Sequence, residues 1–230
     1  MQIKGFVPTS FVDWDGKVSS VVFLSGCNFR CVYCYNIDLI LYPEKLKTIE
    51  FITIKKHLLE NKGLIDGVVL LGGEPTIHND LPDLAKNIKA LDIPVKLDTN
   101  GSNPDMIQYL LDNNLIDYVA MDIKAPLNEK YSKVTGVAID LEKIKRSIDL
   151  LINSNIDYEF RSTILPSLHS RTDVIEMAKS IKGAKRYFLQ QFKKGKTLNP
   201  KFENAKQFTK KEFESIKDEC NKYVSTKLRI

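Results

Sequence analysis

Short apolar runs alternate along the chain with amphipathic segments of helical spacing. Six runs are rich in β-branched and aromatic residues and have the length of a buried strand; they cover residues 18–25, 67–71, 94–98, 116–123, 158–165 and 186–192. The segments that follow them predict six helices, over residues 49–60, 81–91, 104–112, 141–153, 173–181 and 209–223. This alternation predicts an α/β fold in which parallel strands are covered by outer helices.

The number of strand–helix units decides between a closed and an incomplete barrel. A closed eight-unit barrel takes about 250 residues, whereas this chain has 230 residues and six predicted units. We therefore expect a partial (β/α)6 TIM-type barrel, and the alternative is a doubly wound open sheet. No linker, low-complexity segment or solenoid repeat interrupts the pattern, which predicts a single domain over residues 1–230.

Composition places the chain among ordinary globular proteins. Hydrophobic residues make up 43% and charged residues 27%, which excludes a disordered chain. The formal net charge of +5 is mild and does not indicate a nucleic-acid partner. No apolar run is long enough for a signal peptide or a membrane span, so we expect a cytoplasmic protein without a membrane partner.

Three of the four cysteines fall within eight residues, in the spacing Cys27-x-x-x-Cys31-x-x-Cys34. In a cytoplasmic protein such a group indicates metal or redox chemistry rather than disulfides. Three thiolates do not complete the tetrahedral shell of a zinc site made of four cysteines, and no histidine lies at ligand spacing. Thiolates also hold iron–sulfur clusters, which normally need four, so one metal position would stay open. The alternative is a zinc loop completed by a distant residue such as Cys220, which we otherwise expect to be a buried thiol.

Polar residues of unusual kinds are placed at five successive predicted strands. The cysteine loop follows the first strand, Gly72-Gly73-Glu74-Pro75 the second and Asp98-Thr99-Asn100-Gly101 the third, while Asp122-Ile123-Lys124 ends the fourth and Arg161 lies in the fifth. Each has an ordinary explanation as turn chemistry or solvated surface. Their shared placement favours a site, because ligands of parallel α/β folds bind beyond the carboxyl ends of the strands.

Two of these motifs carry a resemblance to a known family. Cys27-x-x-x-Cys31-x-Tyr33-Cys34 resembles the signature of radical S-adenosylmethionine (SAM) enzymes, and Gly72-Gly73-Glu74-Pro75 resembles their second signature. Within that superfamily four further segments resemble the activating proteins of glycyl-radical enzymes; they are residues 13–17 (DWDGK), 96–101 (KLDTNG), 121–124 (MDIK) and 158–161 (YEFR). The nearest match is the activating protein of anaerobic ribonucleoside-triphosphate reductase, followed by that of pyruvate formate-lyase.

The resemblance implies two cofactors and two protein partners. The three cysteines would hold a [4Fe-4S] cluster, whose open iron would chelate the amino and carboxylate groups of SAM. An electron from reduced flavodoxin or ferredoxin would drive cleavage of SAM to methionine and a 5′-deoxyadenosyl radical. That radical would place a glycyl radical on the anaerobic ribonucleotide reductase. The cofactors supply the chemistry, and the protein supplies orientation and exclusion of water.

The resemblance also implies roles for individual residues. Gly72 and Gly73 would let backbone approach the methionine amine, and Glu74 would fix that turn or contact the amine. The remaining cofactor contacts would come from Tyr33 and Tyr35 near the adenine, from Asn100 and Gln191, and from Asp98, Thr99 and Asp122 around a monovalent cation. Lys124 and Arg161 would face the carboxylate or the substrate backbone as catalytic residues. Tyr35 stands where many activating proteins have a histidine, and Phe192 stands where the activating protein of pyruvate formate-lyase has one near the nucleoside.

Other functions remain open at this point. The chain could activate pyruvate formate-lyase or another glycyl-radical enzyme, or it could be a radical SAM enzyme that acts on a small molecule, another protein or RNA. A non-catalytic metal-binding module is disfavoured, because it would not explain the polar residues at the later strands. No second cysteine cluster lies between Cys34 and Gly72, which excludes the activases that carry accessory clusters.

Overall fold

The computed structural model describes residues 1–230 and contains eight strands. They are β1 (Ile3–Ser10), β2 (Ser19–Leu24), β3 (Gly67–Gly72), β4 (Val95–Thr99), β5 (Tyr118–Asp122), β6 (Asp157–Ile164), β7 (Tyr187–Gln191) and β8 (Thr226–Arg229). The six strands predicted from the sequence are β2 to β7. The prediction misses β1, which contains Gly5 and Pro8, and β8, which has only four residues.

The strands form a sheet in the order β1 to β8. Pairing is parallel from β2 to β3, β3 to β4, β6 to β7 and β7 to β8, whereas β1 runs antiparallel to β2. Because β1 and β8 are the two edges, the sheet is open rather than closed. The order has no reversal point, which excludes the doubly wound alternative. The predicted α/β fold with an incomplete barrel sheet is confirmed.

Eight α-helices connect the strands. They are α1 (Ile37–Leu41), α2 (Phe51–Glu60), α3 (Leu81–Lys89), α4 (Pro104–Asp112), α5 (Glu129–Thr135), α6 (Leu141–Ile152), α7 (Arg171–Ser180) and α8 (Lys210–Cys220). The prediction misses α1 and α5, because helices of five and seven residues are too short to show a helical period. None of the helices has both the length and the apolar character that crossing a membrane requires.

Local sequence explains where the longer helices begin. Ser170 and Asp173 form a capping box at the start of α7, in which each side chain bonds the backbone of the other. Thr209 and Glu212 do the same for α8. Such caps satisfy backbone N–H groups that have no partner inside the helix, and each contributes about 1 kcal/mol.

The chain divides into two compact units, neither of which is one continuous stretch. Unit 1 consists of residues 1–28, 36–99 and 103–119, and unit 2 consists of residues 29–35, 100–102 and 120–230. The single-domain interpretation stays a prediction.

Strands β2 and β3 of unit 1 are buried on both faces, which is why they appear in the sequence as continuous apolar runs. The fully buried apolar side chains of these two strands are Val21, Val22, Leu24, Val68, Val69 and Leu70. Trp14 packs at the start of β3, where a Cβ on Gly67 would lie only 2.5 Å from the indole ring. The Trp14 ring also lies 5.7 Å from that of Tyr118, measured between centroids.

Unit 2 has a core that is rich in aromatic side chains. Its large fully buried residues include Tyr131, Tyr158, Phe160, Tyr187, Phe192 and Phe213. The hydroxyl of Tyr187 donates to Ser162 Oγ at 2.7 Å, and Ser162 Oγ donates to the carbonyl oxygen of Ile123 at 2.6 Å. These bonds satisfy the polar end of the tyrosine inside the core and connect β6 and β7 to the end of β5.

Candidate active site

Two glycines end β3 in unit 1, beside the loop that follows β2. Gly72 has a φ of +132°, which a side chain would strain, and a Cβ there would lie 2.4 Å from the carbonyl oxygen of Leu24. A Cβ on Gly73 would lie 1.6 Å from the carbonyl oxygen of Gly26. The packing of the protein itself therefore requires both glycines. Their approach to a methionine amine stays a prediction.

Glu74 connects the turn after β3 to the end of β4. Its side chain is buried, and Oε1 accepts hydrogen bonds from the Thr76 N–H at 3.1 Å and the Thr76 hydroxyl at 2.5 Å. The hydroxyl of Thr99 donates to the same oxygen at 2.7 Å. Of the two roles expected of Glu74, the structure shows that of fixing the turn. Contact with the amine stays a prediction.

Lys96 brings two of the sequence motifs together within unit 1. It is buried on β4, and its Nζ lies 3.1 Å from Asp98 Oδ1. The same ammonium donates to the carbonyl oxygen of Asp13, which belongs to the DWDGK segment. It also lies over the ring of Tyr118, 5.7 Å from the centroid. A charged lysine is tolerated in a buried place only when its ammonium has such partners. Residues 13–17 therefore help to hold the Lys96 ammonium that pairs with Asp98.

Cys27 lies half-buried in unit 1, just after β2. The backbone before it is fixed on both sides. The Gly26 N–H donates to the carbonyl oxygen of Leu39 at 2.9 Å, and His78 Nε2 lies 2.8 Å from the carbonyl oxygen of Ser25. Helix α1 and the segment before α3 therefore fix the backbone between the end of β2 and Cys27.

The part of the cysteine loop that belongs to unit 2 is held by α5. The Arg30 N–H donates to the carbonyl oxygen of Thr135 at 2.8 Å, and the Val32 N–H donates to that of Val134 at 3.2 Å. Gly136 ends α5 with a φ of +70°, and a Cβ there would lie 2.4 Å from the Arg30 carbonyl oxygen. A helix that the sequence pattern does not reveal thus positions the loop.

Cys31 is buried and Cys34 is half-buried. The Cys34 N–H donates to the carbonyl oxygen of Cys31 at 3.0 Å, which closes a turn between the two. Burial raises the pKa of the Cys31 thiol to about 11, against the opposing effect of the positive charge on Lys124. Because a metal ligand must be a thiolate, metal binding would release the proton from this thiol.

Tyr33 and Gln191 each present a buried polar atom that no protein group satisfies. The Tyr33 side chain is buried and its hydroxyl has no hydrogen-bond partner, while burial raises its pKa far above the ordinary value. Gln191 donates from Nε2 to the carbonyl oxygen of Phe208 at 2.7 Å, and its Oε1 is buried without a partner. An unsatisfied buried polar group costs about 1–3 kcal/mol, so both atoms favour a bound polar ligand.

Asp122, Lys124 and Arg161 form a charged group in unit 2. Lys124 Nζ lies 3.0 Å from Asp122 Oδ2, and Arg161 Nε donates to Asp122 Oδ1 at 3.1 Å. Burial by itself would raise the pKa of Asp122, but the charges of Arg161 and Lys124 outweigh it and hold that pKa below its ordinary value. For Lys124 burial acts to lower the pKa, and Asp122 outweighs it and holds the pKa well above normal. The group therefore carries two cations and one carboxylate.

His169 and Tyr131 hold the backbone of Lys124. His169 is fully buried, accepts at Nδ1 from the Leu165 N–H at 3.2 Å, and has its Nε2 2.9 Å from the Lys124 carbonyl oxygen. Burial lowers the pKa of His169, so the ring is neutral and its Nε2–H donates to that carbonyl. The Lys124 N–H donates to the Tyr131 hydroxyl at 3.4 Å. The sequence gives no sign of either support, because neither residue lies in a motif.

Tyr35 and Phe192, the two positions that depart from related activating proteins, stack on each other. Their ring centroids are 5.6 Å apart and their planes differ by 12°. The Tyr35 hydroxyl donates to the carbonyl oxygen of Lys193 at 2.6 Å and accepts from the Lys193 N–H at 3.0 Å. Tyr35 therefore anchors the end of β7 to the cysteine loop, and its contact with adenine stays a prediction.

Asn100 lies buried in the turn after β4, in unit 2. Its Oδ1 accepts from the Ser102 N–H at 2.9 Å, which shapes the turn. The carbonyl oxygen of Gly101 accepts from the Ser147 hydroxyl at 2.7 Å, and the side chain of Met121 fills the space beside Gly101. The cofactor role of Asn100 stays a prediction.

Cys220 has the surroundings of a core thiol rather than of a metal ligand. It is fully buried on α8, and its thiol lies 3.8 Å from the carbonyl oxygen of Val174 on α7. No three His, Cys, Asp or Glu side chains are grouped as ligands of a single metal ion. An iron–sulfur cluster binds each thiolate through a different iron, so its ligands need not meet at one point.

Residues 21–181, which include most of the side chains described above, match a known protein family. The model of the Radical SAM superfamily matches residues 21–181, which include both cysteine and glycine motifs. The chain belongs to the radical SAM superfamily. As a radical SAM enzyme it uses a [4Fe-4S] cluster and SAM. The thiol donors of the cysteine loop and the two unsatisfied buried atoms fit these cofactors.

Similar proteins narrow the class further. A protein of Methanocaldococcus jannaschii, provisionally named as a glycyl-radical enzyme activating enzyme, is 34% identical over 227 residues, which cover 96% of this chain and 92% of that protein. Among solved structures, Streptococcus suis SuiB matches with a TM-score of 0.69 at 13% identity, over 91% of this chain and 48% of SuiB. A domain of a Bacteroides vulgatus pyruvate-formate lyase-activating enzyme matches with a TM-score of 0.58 at 15% identity, over 71% of this chain and 99% of that domain. By sequence the chain falls with the radical SAM activating enzymes of glycyl-radical proteins.

Proposed function

We propose that this chain installs a glycyl radical on an anaerobic ribonucleoside-triphosphate reductase in the cytoplasm. The observation that carries the activity is the identity of 34% to a glycyl-radical enzyme activating enzyme over 96% of the chain. Residues 13–17, 96–101, 121–124 and 158–161 resemble the activating proteins of glycyl-radical enzymes in general. The choice of the reductase as substrate rests on the resemblance of the sequence to its activating protein, which is the nearest match within that group. We propose reduced flavodoxin or ferredoxin as the electron donor.

Cys27, Cys31 and Cys34 are the proposed ligands of the cluster. When bound, the cluster and SAM supply a 5′-deoxyadenosyl radical that removes a hydrogen atom from the substrate glycine. Two helices position the cysteines, since α1 fixes the chain before Cys27 and α5 fixes the chain around Cys31. The remaining proposed contacts to SAM come from Gly72, Gly73 and Glu74, from Tyr33, Tyr35 and Gln191, and from Asp98, Thr99, Asn100 and Asp122.

Lys124 and Arg161 are the proposed catalytic residues, and they hold an anion or a peptide carbonyl. With Asp122 between them, the group keeps a net positive charge in a half-buried place. Such a group suits the methionine carboxylate or the carbonyl oxygens of an incoming glycyl loop, through charge-assisted hydrogen bonds of about 1.5–3 kcal/mol each. His169 and Tyr131 keep Lys124 in place by bonding its backbone.

We also propose a monovalent cation near Asp98, Thr99 and Asp122. In the structure Lys96 Nζ lies 3.1 Å from Asp98 Oδ1 and Lys124 Nζ lies 3.0 Å from Asp122 Oδ2, so a bound cation would share these carboxylates with the two lysines. The proposal is therefore tested by comparing SAM affinity in potassium, sodium and choline buffers. Equal affinity in all three would overturn it.

The decisive experiment is electron paramagnetic resonance on the reconstituted protein mixed with the reductase, SAM and a reductant without oxygen. We expect a glycyl doublet on the reductase together with release of 5′-deoxyadenosine. A reductase whose radical glycine is replaced by alanine serves as the control and should give no doublet. If the doublet forms on pyruvate formate-lyase instead of the reductase, the substrate is wrong but the activity stands. If no deoxyadenosine forms with either partner, the activity is wrong.

A further inference from the structure

Between β7 and α8 the chain carries a concentration of positive charge that the proposed catalytic site does not use. Residues 193–211, which we call the basic segment, contain seven lysines and a single carboxylate, Glu203. The local net charge of +6 exceeds the +5 of the whole chain. All of these lysines are exposed; they are Lys193, Lys194, Lys196, Lys201, Lys206, Lys210 and Lys211.

The charge of the basic segment is not neutralised by neighbouring carboxylates. Several other lysines of unit 2 lie in ion pairs, among them Lys130 with Asp173 at 2.7 Å and Lys145 with Glu142 at 2.6 Å. None of the seven lysines of the basic segment forms an ion pair with a carboxylate. A cluster of uncompensated charge attracts and orients an oppositely charged partner over distances of about a Debye length, 8–10 Å.

The basic segment is bonded directly to the backbone of the cysteine loop. The Leu198 N–H donates to the carbonyl oxygen of Cys34 at 2.9 Å, and the Asn199 N–H donates to that of Val32 at 3.0 Å. The exposed lysines on either side of this contact, Lys196 and Lys201, therefore lie a few residues from a proposed ligand of the cluster. A protein seated on the segment would sit beside Cys34.

Hydrogen bonds also hold the backbone of the basic segment at its two ends. Gln191 Nε2 donates to the carbonyl oxygen of Phe208 at 2.7 Å, and Gln207 Nε2 donates to that of Phe192 at 2.6 Å. These two reciprocal bonds join the beginning and the end of the segment. Inside it the Gly195 N–H donates to the carbonyl oxygen of Glu203 at 3.0 Å.

We propose that the basic segment is the docking surface for the acidic protein that delivers the electron to the cluster. This proposal rests on the proposed function and names the surface and the partner class for it. The donor, a flavin or iron–sulfur protein with an acidic surface, is oxidised by one electron and the cluster is reduced by one, with no bond made or broken. The contact with Cys34 favours an electron donor over the glycyl-radical protein or a nucleic acid, because an electron donor has to approach only the cluster ligands.

The test compares two triple variants of the reconstituted protein. One reverses three charges of the basic segment: Lys193→Glu, Lys194→Glu and Lys196→Glu. The matched control reverses three exposed lysines elsewhere in unit 2: Lys143→Glu, Lys182→Glu and Lys222→Glu. Both variants have the same net charge. The side chains of the first set are exposed and the segment is held by backbone bonds, so we expect unchanged iron content and circular dichroism.

The measurements are the Kd for a purified acidic flavodoxin, by calorimetry, and the rate at which reduced flavodoxin bleaches the cluster absorbance. We expect the basic-segment variant to bind about tenfold or more weakly and to be reduced correspondingly slowly, with the control within about twofold of the unmodified protein. Added salt should weaken binding of the unmodified protein and of the control, and the basic-segment variant should respond less.

Three results would overturn the docking proposal. The first is that flavodoxin binds both variants equally weakly, and the second is that it binds both as tightly as the unmodified protein. The third is that the basic-segment variant loses affinity for the reductase or for RNA while it still binds flavodoxin normally. Photoreduction with deazaflavin bypasses the protein donor and tests the proposed function separately. If photoreduced protein forms no deoxyadenosine with its substrates present, the proposed function fails, while the flavodoxin affinities still decide the docking surface.

Discussion

At Gly73 a single hydrogen atom in place of a side chain lets two loops of unit 1 pass each other. The Cβ of any other residue would lie 1.6 Å from the Gly26 carbonyl oxygen, well inside the contact distance of two atoms. The family resemblance assigns this glycine to cofactor binding, and the structure adds that the apoprotein needs it too. Gly195 has no atom within 4 Å of such a Cβ and offers a matched comparison.

We expect Gly73→Ala to lower the free energy of unfolding by about 3 kcal/mol even without cofactors, because one of the two loops must move. Gly195→Ala should change it by less than about 0.5 kcal/mol. Denaturant unfolding of the two variants measures the difference. A Gly73→Ala protein as stable as the original would show that the loops separate without cost.

At the scale of the element, the short helix α5 has a larger role than its length of seven residues suggests. Its last carbonyl groups accept hydrogen bonds from Arg30 and Val32, so the cysteine loop depends on where α5 ends. Gly136 fixes that end. Its φ of +70° lies in the same region as that of Gly183, which is +92°, but only Gly136 has a neighbour, the Arg30 carbonyl oxygen, in the way of a Cβ.

We expect Gly136→Ala to reduce iron incorporation by several fold, while Gly183→Ala incorporates iron normally. Both substitutions carry the backbone cost of a positive φ, about 1–2 kcal/mol, so the difference between them isolates the contact with Arg30. Iron analysis and the visible absorbance of the reconstituted proteins check this. Equal iron content in the two variants would mean that α5 does not position the loop.

Helix α7 gives an element whose stability should depend on pH. Burial would raise the pKa of Asp173, but bonds from Lys130 and Ser170 outweigh it and lower that pKa below its ordinary value. A lowered pKa in the folded state stabilises the protein above the unfolded value, and the contribution disappears as the pH falls through the folded value. Asp173 would then be protonated in both states.

We expect Asp173→Asn to lower the free energy of unfolding by about 1–2 kcal/mol at neutral pH, through the weakened cap and the lost pairing with Lys130. The difference in free energy of unfolding between the unmodified protein and Asp173→Asn should stay constant down to about pH 5 and become smaller below about pH 4. Denaturant titrations across this range test it. If this difference were the same at about pH 3 as at pH 7, the pKa of Asp173 in the folded protein would not account for it.

At the scale of the whole molecule, cofactor binding and stability are coupled. A cluster that binds only the folded chain stabilises it by mass action. The cysteines differ in their surroundings: Cys31 lies in the turn that α5 positions, whereas Cys220 is packed between α7 and α8. We therefore expect replacement of Cys31, but not of Cys220, to affect iron binding.

We expect anaerobic reconstitution to give about four iron atoms per chain, as a [4Fe-4S] cluster requires, and to raise the melting temperature. Cys31→Ser should abolish the cluster and remove the rise in melting temperature, while Cys220→Ser should keep both. Iron analysis and thermal unfolding measure the two effects. Loss of the cluster in Cys220→Ser but not in Cys31→Ser would overturn the ligand assignment.

Local patterns in the sequence were enough to predict strands β2 to β7 and the helices longer than eight residues. Strands buried on both faces must be apolar throughout, and long surface helices must repeat their apolar residues with a helical period, so both leave a local pattern. The cysteine and glycine motifs were equally local, because the spacing of ligands on a short loop is written in consecutive residues. These features were sufficient for the fold class and the family.

The contacts that support the motifs could be identified only in the folded chain. Lys96 and Asp13 lie 83 positions apart in the sequence, and Asp122 and Arg161 lie 39 apart, yet each pair is in direct contact. The bonds from Leu198 to Cys34 likewise join segments that share no pattern. Hydrogen bonds and ion pairs between distant residues impose no periodicity on either partner, so they become visible only when the chain folds and brings them together.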